Sequence, residues 1–271
     1  MSYPRLALGV AAAGLFLLIC GPPRRFAQWR RWRAGRRTPA LFHRLLCAAL
    51  RVRVRIHGRP DDAGRRLIVA NHVSWLDIPV LGSIEPMTFL AKKEIGAPAL
   101  GGRLARLQGV IFVDRRRPRG IPQVNAQIAR AMAKGDPVVL FAEATTGDGN
   151  RLLQFRSSHF EAVRQAAAGA RGADAVVQPV FLDYSRIAGL PVRRRERPLF
   201  AWYGDMTFFS HFRRFLTIGG IGCDVYFGAP IRVSPETGRK TIALSTETSV
   251  RDLAGRARGP KSAIPAEPAS S

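Results

Sequence analysis

The chain has no aspartate or glutamate before Asp61, while Arg24, Arg25, Arg30, Arg31, Arg33, Arg36 and Arg37 crowd into a short stretch of that region. With a formal charge of +24 over 271 residues, the amino-terminal end needs a polyanion nearby: nucleic acid, anionic lipid or an acidic substrate carrier. Cysteine is scarce. Cys20, Cys47 and Cys223 share no disulfide or metal spacing, which excludes a disulfide scaffold, suits a reducing compartment and reads each as an apolar packer. The five histidines, at 43, 57, 72, 159 and 211, are scattered without zinc-ligand spacing, so no metal is expected. Residues 237–241, TGRKT, lack the upstream glycine of a phosphate-binding loop, and no G-x-S-x-G nucleophile turn occurs.

Long apolar runs are also missing. Residues 6–20, LALGVAAAGLFLLIC, are shorter than the roughly 20 apolar residues of a full bilayer crossing. A cleaved secretory signal is the rival reading, but the strongest cationic cluster follows the run, and no small-x-small site precedes that cluster. The adjoining RRFAQWRRWRAGRR mixes Phe26, Trp29 and Trp32 with arginine, as in a segment lying at lipid headgroups. A helix dipping into one leaflet and backed by that belt would hold the chain on an anionic membrane surface. If it crosses instead, the arginines after it place the rest of the chain in the cytoplasm. The expected location is the cytoplasmic face of the cell membrane.

Thr38-Pro39 opens a helix with apolar residues on one face up to Leu50, completing a membrane-binding segment over 1–50. RVRVRI (51–56) then alternates in strand fashion. Apolar runs at 66–70, 87–91, 109–113, 137–141, 175–182, 198–203 and 223–228 read as further strands. Helical stretches lie at 97–107, 122–134, 158–168 (with a capping box from Ser158 to Glu161) and 207–216. This alternation predicts an α/β domain over 51–250: a mixed, mostly covered sheet flanked by helices. From 251 the Arg, Gly, Pro, Ala and Ser composition predicts a disordered tail to 271.

Chemistry concentrates where predicted strands end. Strand 66–70 runs into NHVSWLD (71–77). Five residues along one regular helix put His72 and Asp77 on different faces. They meet only if His72 precedes the helix, with Ser74 as N-cap and Asp77 in the first turn. So arranged, the pair resembles a general base held in one tautomer by a carboxylate, although a plain capping carboxylate beside a solvated histidine is the bland alternative. With no nucleophile evident beside it, the histidine would deprotonate a substrate hydroxyl directly. GVIFVDRR (109–116) ends in Asp114, Arg115 and Arg116, and VVLFAEATTGDG (138–149) in Glu143, Thr145, Thr146 and Asp148. Ligands gather at the carboxyl ends of strands in open α/β sheets, so the three termini suggest one site. A surface ion pair for Arg115 and a capping role for Glu143 are the ordinary alternatives.

In that order, NHVSWLD, GVIFVDR, FAEATT and VVQPVFLDY (176–184) resemble the four blocks of the glycerolipid and lysophospholipid acyltransferases, across roughly residues 40–230. The resemblance implies His72 as general base, Asp77 as its orienting partner, Arg115 as an anchor for the acyl acceptor, and Glu143 with Thr145 lining the acceptor site. It implies a lysolipid acceptor and a thioester donor, coenzyme A or acyl carrier protein, with no metal or redox cofactor. Backbone N–H groups at 74–77 are candidate oxyanion donors. Ala142 and Ala144 replace the Pro and Gly usual around the glutamate, which restricts the backbone there. Thr146-Gly147-Asp148 stands where phosphate-binding members carry an arginine, favouring an amine-bearing acceptor. TTGDGNRLLQFRSSHF and WYGDM (202–206) are similar to the branch that acylates lyso-ornithine lipid. A 1-acylglycerol-3-phosphate acyltransferase and a non-catalytic membrane-binding homologue are the alternatives; without a recognised nucleic-acid module, no nucleic-acid partner is expected.

Overall fold

Strand β2 (Arg65–Ala70) is buried along most of its length, with Leu67 and Val69 facing one apolar cluster and Ile68 and Ala70 another. A strand apolar on both faces needs a layer of structure on each side. The computed structural model describes residues 38–92, 110–113, 120–169 and 175–259 and contains both layers. The preceding elements are helix α1 (Thr38–Ala49) and strand β1 (Val52–His57). After β2 come α2 (Asp77–Ile84), β3 (Thr88–Lys92), β4 (Ile111–Val113), α3 (Ile121–Ala133) and β5 (Val138–Phe141). A 3-10 turn (Ser157–Phe160) leads into α4 (Glu161–Ala168), followed by β6 (Ala175–Ile187) and β7 (Leu190–Pro191). A second 3-10 turn (Arg194–Leu199), α5 (Phe208–Leu216), β8 (Ile221–Phe227), β9 (Ile231–Val233) and α6 (Arg239–Arg258) complete the described chain.

The strands form one mixed sheet in the order β1-β8-β6-β2-β5-β3-β4, with β7 and β9 also paired to β6. Its β6-β2-β5-β3-β4 half is parallel; β8 runs antiparallel to β6, and β1 parallel to β8. Apolar side chains from α3, α4 and α6 (Ile128, Val163, Val250) cover one face, and those from α1, α2 and α5 (Cys47, Leu81, Phe215) the other. The expected sheet flanked by helices is therefore present. Strand β6 is the organising element. Its first half pairs with β2 over 175–180, while its second half continues to Ile187 beside β8. The overhang past the carboxyl end of β2 forms one wall of the site.

Three expectations need correction. The apolar run at 198–203 is not a strand: the backbone turns through the 3-10 helix ending at Leu199, and Phe200 and Ala201 enter the core from a strap outside the sheet. The chain does not lose order at 251, because α6 continues to Arg258. Its buried Ile242, Ala243, Thr246, Val250, Leu253 and Ala254 recur at helical spacing among polar neighbours, a stripe narrow enough to be overlooked. The capping box at Ser158 is also absent: Phe160 is the N-cap of α4, and Glu161 pairs with Arg164 instead. The helix expected at 97–107 and the membrane segment at 6–20 lie outside the described residues. Among those described, no helix is long and apolar enough to cross a membrane.

Truncation tests the carboxyl-terminal boundary. Ending the chain after residue 250 removes buried Leu253 and Ala254 and the pair between Arg258 and Asp183 (3.0 Å). Loss of one buried leucine alone costs about 2–5 kcal/mol, so this truncation should clearly lower the unfolding midpoint. Ending after Gly259 should leave the midpoint unchanged; equal midpoints for the two truncations would return the region to a tail.

Candidate active site

Strand β2 stops at Ala70 because the next residue exchanges backbone pairing for side-chain pairing. The Asn71 carboxamide donates to the Leu182 carbonyl (3.1 Å) and accepts from the Leu182 N–H (2.7 Å), occupying the edge of β6. The released backbone turns, with the Asp77 N–H donating to the Ser74 carbonyl (3.1 Å), and α2 starts at Asp77. Ser74 is not the expected N-cap, since its buried hydroxyl makes no hydrogen bond. The capping runs backwards: Asp77 Oδ2 accepts from the N–H groups of Val73 (2.7 Å) and Ser74 (3.0 Å). Carboxylate charge at a helix start is favoured by the backbone dipoles. The N–H groups of Ser74 and Asp77 are thus occupied, which removes both from the expected set of oxyanion donors.

The same Oδ2 lies 2.8 Å from His72 Nδ1. The Asp77 side chain is fully buried, while that of His72 is 16 % exposed, so the pair presents the imidazole and hides the carboxylate. Phe141, the last residue of β5, stacks on the imidazole at 4.1 Å between ring centroids and fixes its plane. With Nδ1 donating to Asp77, the lone pair of the ring sits on Nε2, which accepts a proton. The other carboxylate oxygen, Oδ1, accepts from the Tyr184 hydroxyl at 2.6 Å, delivered by the β6 overhang. Burial, reinforced by the adjacent Asp77 charge, raises the Tyr184 phenol well above its ordinary pKa and keeps it a donor. Asp77 and His72 are brought together as the sequence predicts. Tyr184 was missed as a site residue: it stands in the FLDY of the fourth block, but nothing in that block says how far β6 extends.

Glu143 is placed differently from the expectation that it lines the acceptor site. It is 4 % exposed and sits behind the histidine, with one oxygen accepting from the His72 N–H and the other from the Leu153 N–H, both at 2.9 Å. Burial pushes its pKa up to about 7 against the lowering effect of those two donors. It ties the turn at 71–77 to the loop after β5. The Gly147 N–H donates to the His72 carbonyl (2.9 Å), and the Thr146 hydroxyl donates to the Trp202 carbonyl. Trp202 in turn donates its N–H to the Val73 carbonyl (2.9 Å), so the strap and the loop grip the same turn. Ala144 adopts φ +61, a left-handed conformation that a residue with a Cβ enters at a cost of about 1–2 kcal/mol; this is the restriction expected from the missing glycine.

Thr145 is exposed at the tip of this loop. Asp148 organises the loop from within, accepting from the N–H groups of Asn150 (2.9 Å) and Arg151 (3.3 Å). Partial burial opposes its ionisation, but those donors prevail and hold its pKa below the ordinary value. Arg115 lies outside the described residues. On the other side of the turn, the Trp75 indole N–H donates to His211 Nδ1 of α5 (3.0 Å), and the Trp75 ring packs on Phe212 and Phe215. Burial lowers the His211 pKa, consistent with a neutral ring accepting that bond. The anchor was illegible beforehand, since nothing local to Trp75 indicates a partner in a helix so distant in sequence.

A partly exposed imidazole thus stands at the carboxyl end of β2, held through Nδ1 by a buried carboxylate. Residues 51–183 match the Acyltransferase family model. Over 218 residues the chain is 39% identical to a lyso-ornithine lipid O-acyltransferase of Brucella abortus, covering 80% of this chain and 82% of that one. A lyso-ornithine lipid O-acyltransferase of Rhizobium meliloti is 37% identical over 266 residues, covering 96% and 91%. A 1-acyl-sn-glycerol-3-phosphate acyltransferase of Neisseria gonorrhoeae is 33% identical over 145 residues, covering 54% and 53%. In fold, the chain is similar to the crystal structure of a 1-acyl-sn-glycerophosphate acyltransferase from Thermotoga maritima, with TM-score 0.58 and 14% identity over 96% of this chain and 100% of that one. The chain belongs to the lysophospholipid and 1-acylglycerol-3-phosphate acyltransferase family. It is a lysolipid acyltransferase.

The raised pKa of Glu143 makes a signed prediction. The fold binds its proton more tightly than the unfolded chain does, so its contribution to stability is greatest near pH 4.5 and below, declines as pH rises through about 7, and is level beyond. Unfolding free energies of wild type and Glu143→Gln, measured in denaturant at pH 5 and pH 8, should differ in wild type's favour more at pH 5. A gap independent of pH would mean that Glu143 is ionised throughout.

Proposed function

We propose that this enzyme acylates lyso-ornithine lipid at the cytoplasmic face of the cell membrane, using an acyl thioester of coenzyme A or acyl carrier protein. The observation that carries the mechanism is the His72–Asp77 pair, with Nδ1 held at 2.8 Å and Nε2 directed away from the carboxylate. Nε2 takes the proton of the acceptor hydroxyl as the oxygen attacks the thioester carbonyl. The buried Asp77 charge stabilises the resulting imidazolium. When the tetrahedral intermediate collapses, the carbon–sulfur bond breaks and the imidazolium returns its proton to the thiolate, so the histidine ends as it began. His72→Ala should lower kcat about 10²–10⁴-fold with the protein still folded. Near-normal turnover in that variant would remove the base from His72.

The names of the Brucella and Rhizobium relatives support the acceptor, and so does the charge at the site. Asp148, held ionised by its own loop, offers an anion to an ammonium group, whereas a phosphate dianion would be repelled. Arg115 is assigned to the acceptor's carboxylate and Thr145 to its polar headgroup. Wild type should show a higher kcat/KM for lyso-ornithine lipid than for lysophosphatidic acid with a common donor. Asp148→Asn retains an acceptor oxygen for the loop N–H groups but removes the charge, and should narrow the ratio. A wild-type preference for lysophosphatidic acid would defeat this acceptor while leaving the transfer chemistry in place.

A further inference from the structure

At the edge of the sheet away from β4, where α1 turns into β1, lies a cleft of about 490 Å³ whose lining includes Arg51, Arg53, Arg55 and Arg186. The sheet register explains why these cations converge. Arg53 of β1 and Arg186 of β6 are both aligned with Gly222 of the intervening β8, so the three residues form one row across the sheet. Directly aligned residues present their side chains on the same face, and adjacent strands lie about 4.8 Å apart. Two arginines about 10 Å apart therefore flank a position with no side chain of its own. A Cβ on Gly222 would stand 3.1 Å from Arg186 Cβ and 3.5 Å from Arg55 Nη2, so the absence of a side chain there is what lets the Arg186 stem and the Arg55 guanidinium lie close over β8.

Little within the described protein compensates this charge. Asp224, which pairs with Arg55 of the cleft (2.6 Å), is also shared by His57 (2.9 Å) and the Ser185 hydroxyl. The side chains of Arg51 and Arg53 make no hydrogen bond or ion pair among the described residues. The Arg186 guanidinium makes one long contact to the Gly189 carbonyl (3.4 Å), and its Nε is buried with no partner. The rim is also held in costly backbone geometry. Arg51 (φ +57) and Ala188 (φ +49) adopt left-handed conformations despite carrying side chains, next to Gly189 (φ +88) and Gly220 (φ +115). That geometry is pinned by the Ile221 N–H donating to the Arg51 carbonyl (3.0 Å) and the Ala188 N–H to the Gly220 carbonyl (2.9 Å). Like charges gathered on one face repel, and an anion held between them relieves that repulsion.

We propose that this cleft binds a phosphate ester, with Arg53 and Arg186 closing on it from either side of Gly222 and Arg51 at the mouth. Guanidinium groups match phosphate oxygens two at a time, which suits a cradle of separated arginines better than diffuse surface charge. It is distinct from the His72 site, although β6 links the two: Arg186 lies two residues beyond Tyr184, whose hydroxyl holds Asp77. Phosphate can arrive here on the headgroup of an anionic bilayer lipid or on the nucleotide portion of coenzyme A.

The test is equilibrium binding of the full chain in neutral detergent micelles. One arm dopes the micelles with phosphatidylglycerol; the other adds coenzyme A in solution. Arg53→Gln combined with Arg186→Gln should weaken binding of at least one probe about tenfold or more, and the probe affected identifies the source of the phosphate. Arg59→Gln, which removes an exposed charge elsewhere, should leave both affinities unchanged. Because Arg53 is exposed and unpartnered, Arg53→Gln alone keeps the fold and should already weaken binding several-fold. Wild-type affinity for both probes in the double variant, or an equal loss in Arg59→Gln, overturns the site. The readout needs no turnover, so it stands or falls separately from the acceptor assignment.

Discussion

A single buried carboxylate holds this active site together. Among the described residues Asp77 pairs with no lysine or arginine, yet its side chain is fully enclosed. Four donors make that tolerable: His72 Nδ1, the backbone N–H groups of Val73 and Ser74, and the Tyr184 hydroxyl. An unpaired charge in such surroundings would cost several kcal/mol, so the turn, the helix start and the overhang of β6 must all be formed before the carboxylate can settle. So held, the carboxylate faces the imidazole of His72 through Nδ1.

Around that centre the protein supplies a second set of ties that act on the backbone and ring of His72. Glu143 accepts its N–H, Gly147 donates to its carbonyl, and Phe141 stacks on its ring. The β5 strand, the loop after it and the turn at 71–77 are therefore one mechanical unit, and the strained Ala144 lies within it. Strain at a residue joining two such ties persists because the surrounding bonds over-determine the backbone.

The distribution of charge gives the molecule two different cationic regions. The amino-terminal arginines are interleaved with aromatic residues, whereas those of the β1-β8-β6 cleft are set by strand register around a glycine. The first pattern is written in contiguous sequence. The second arises only when residues 53, 186 and 222 become neighbours.

The sequence by itself determined the local elements and the chemistry they carry. Period-two and continuous apolar runs marked most strands, and the five-residue interval in NHVSWLD already required His72 to precede a helix whose first turn holds Asp77. Only tertiary structure decided how these parts are used. Ser74 was a sound N-cap by local rules, but burial of the Asp77 carboxylate drew the neighbouring N–H groups to it instead. Residues 198–203 had the composition of a strand but found their burial as a strap, and α6 showed its apolar stripe only once a sheet face existed to receive it. Glu143 read as a substrate contact, and the fold turned it inward against two backbone donors. Contacts that exist only in the folded chain, apolar burial in some cases and hydrogen bonds in others, decided these outcomes, and local composition carries no record of which partner will arrive.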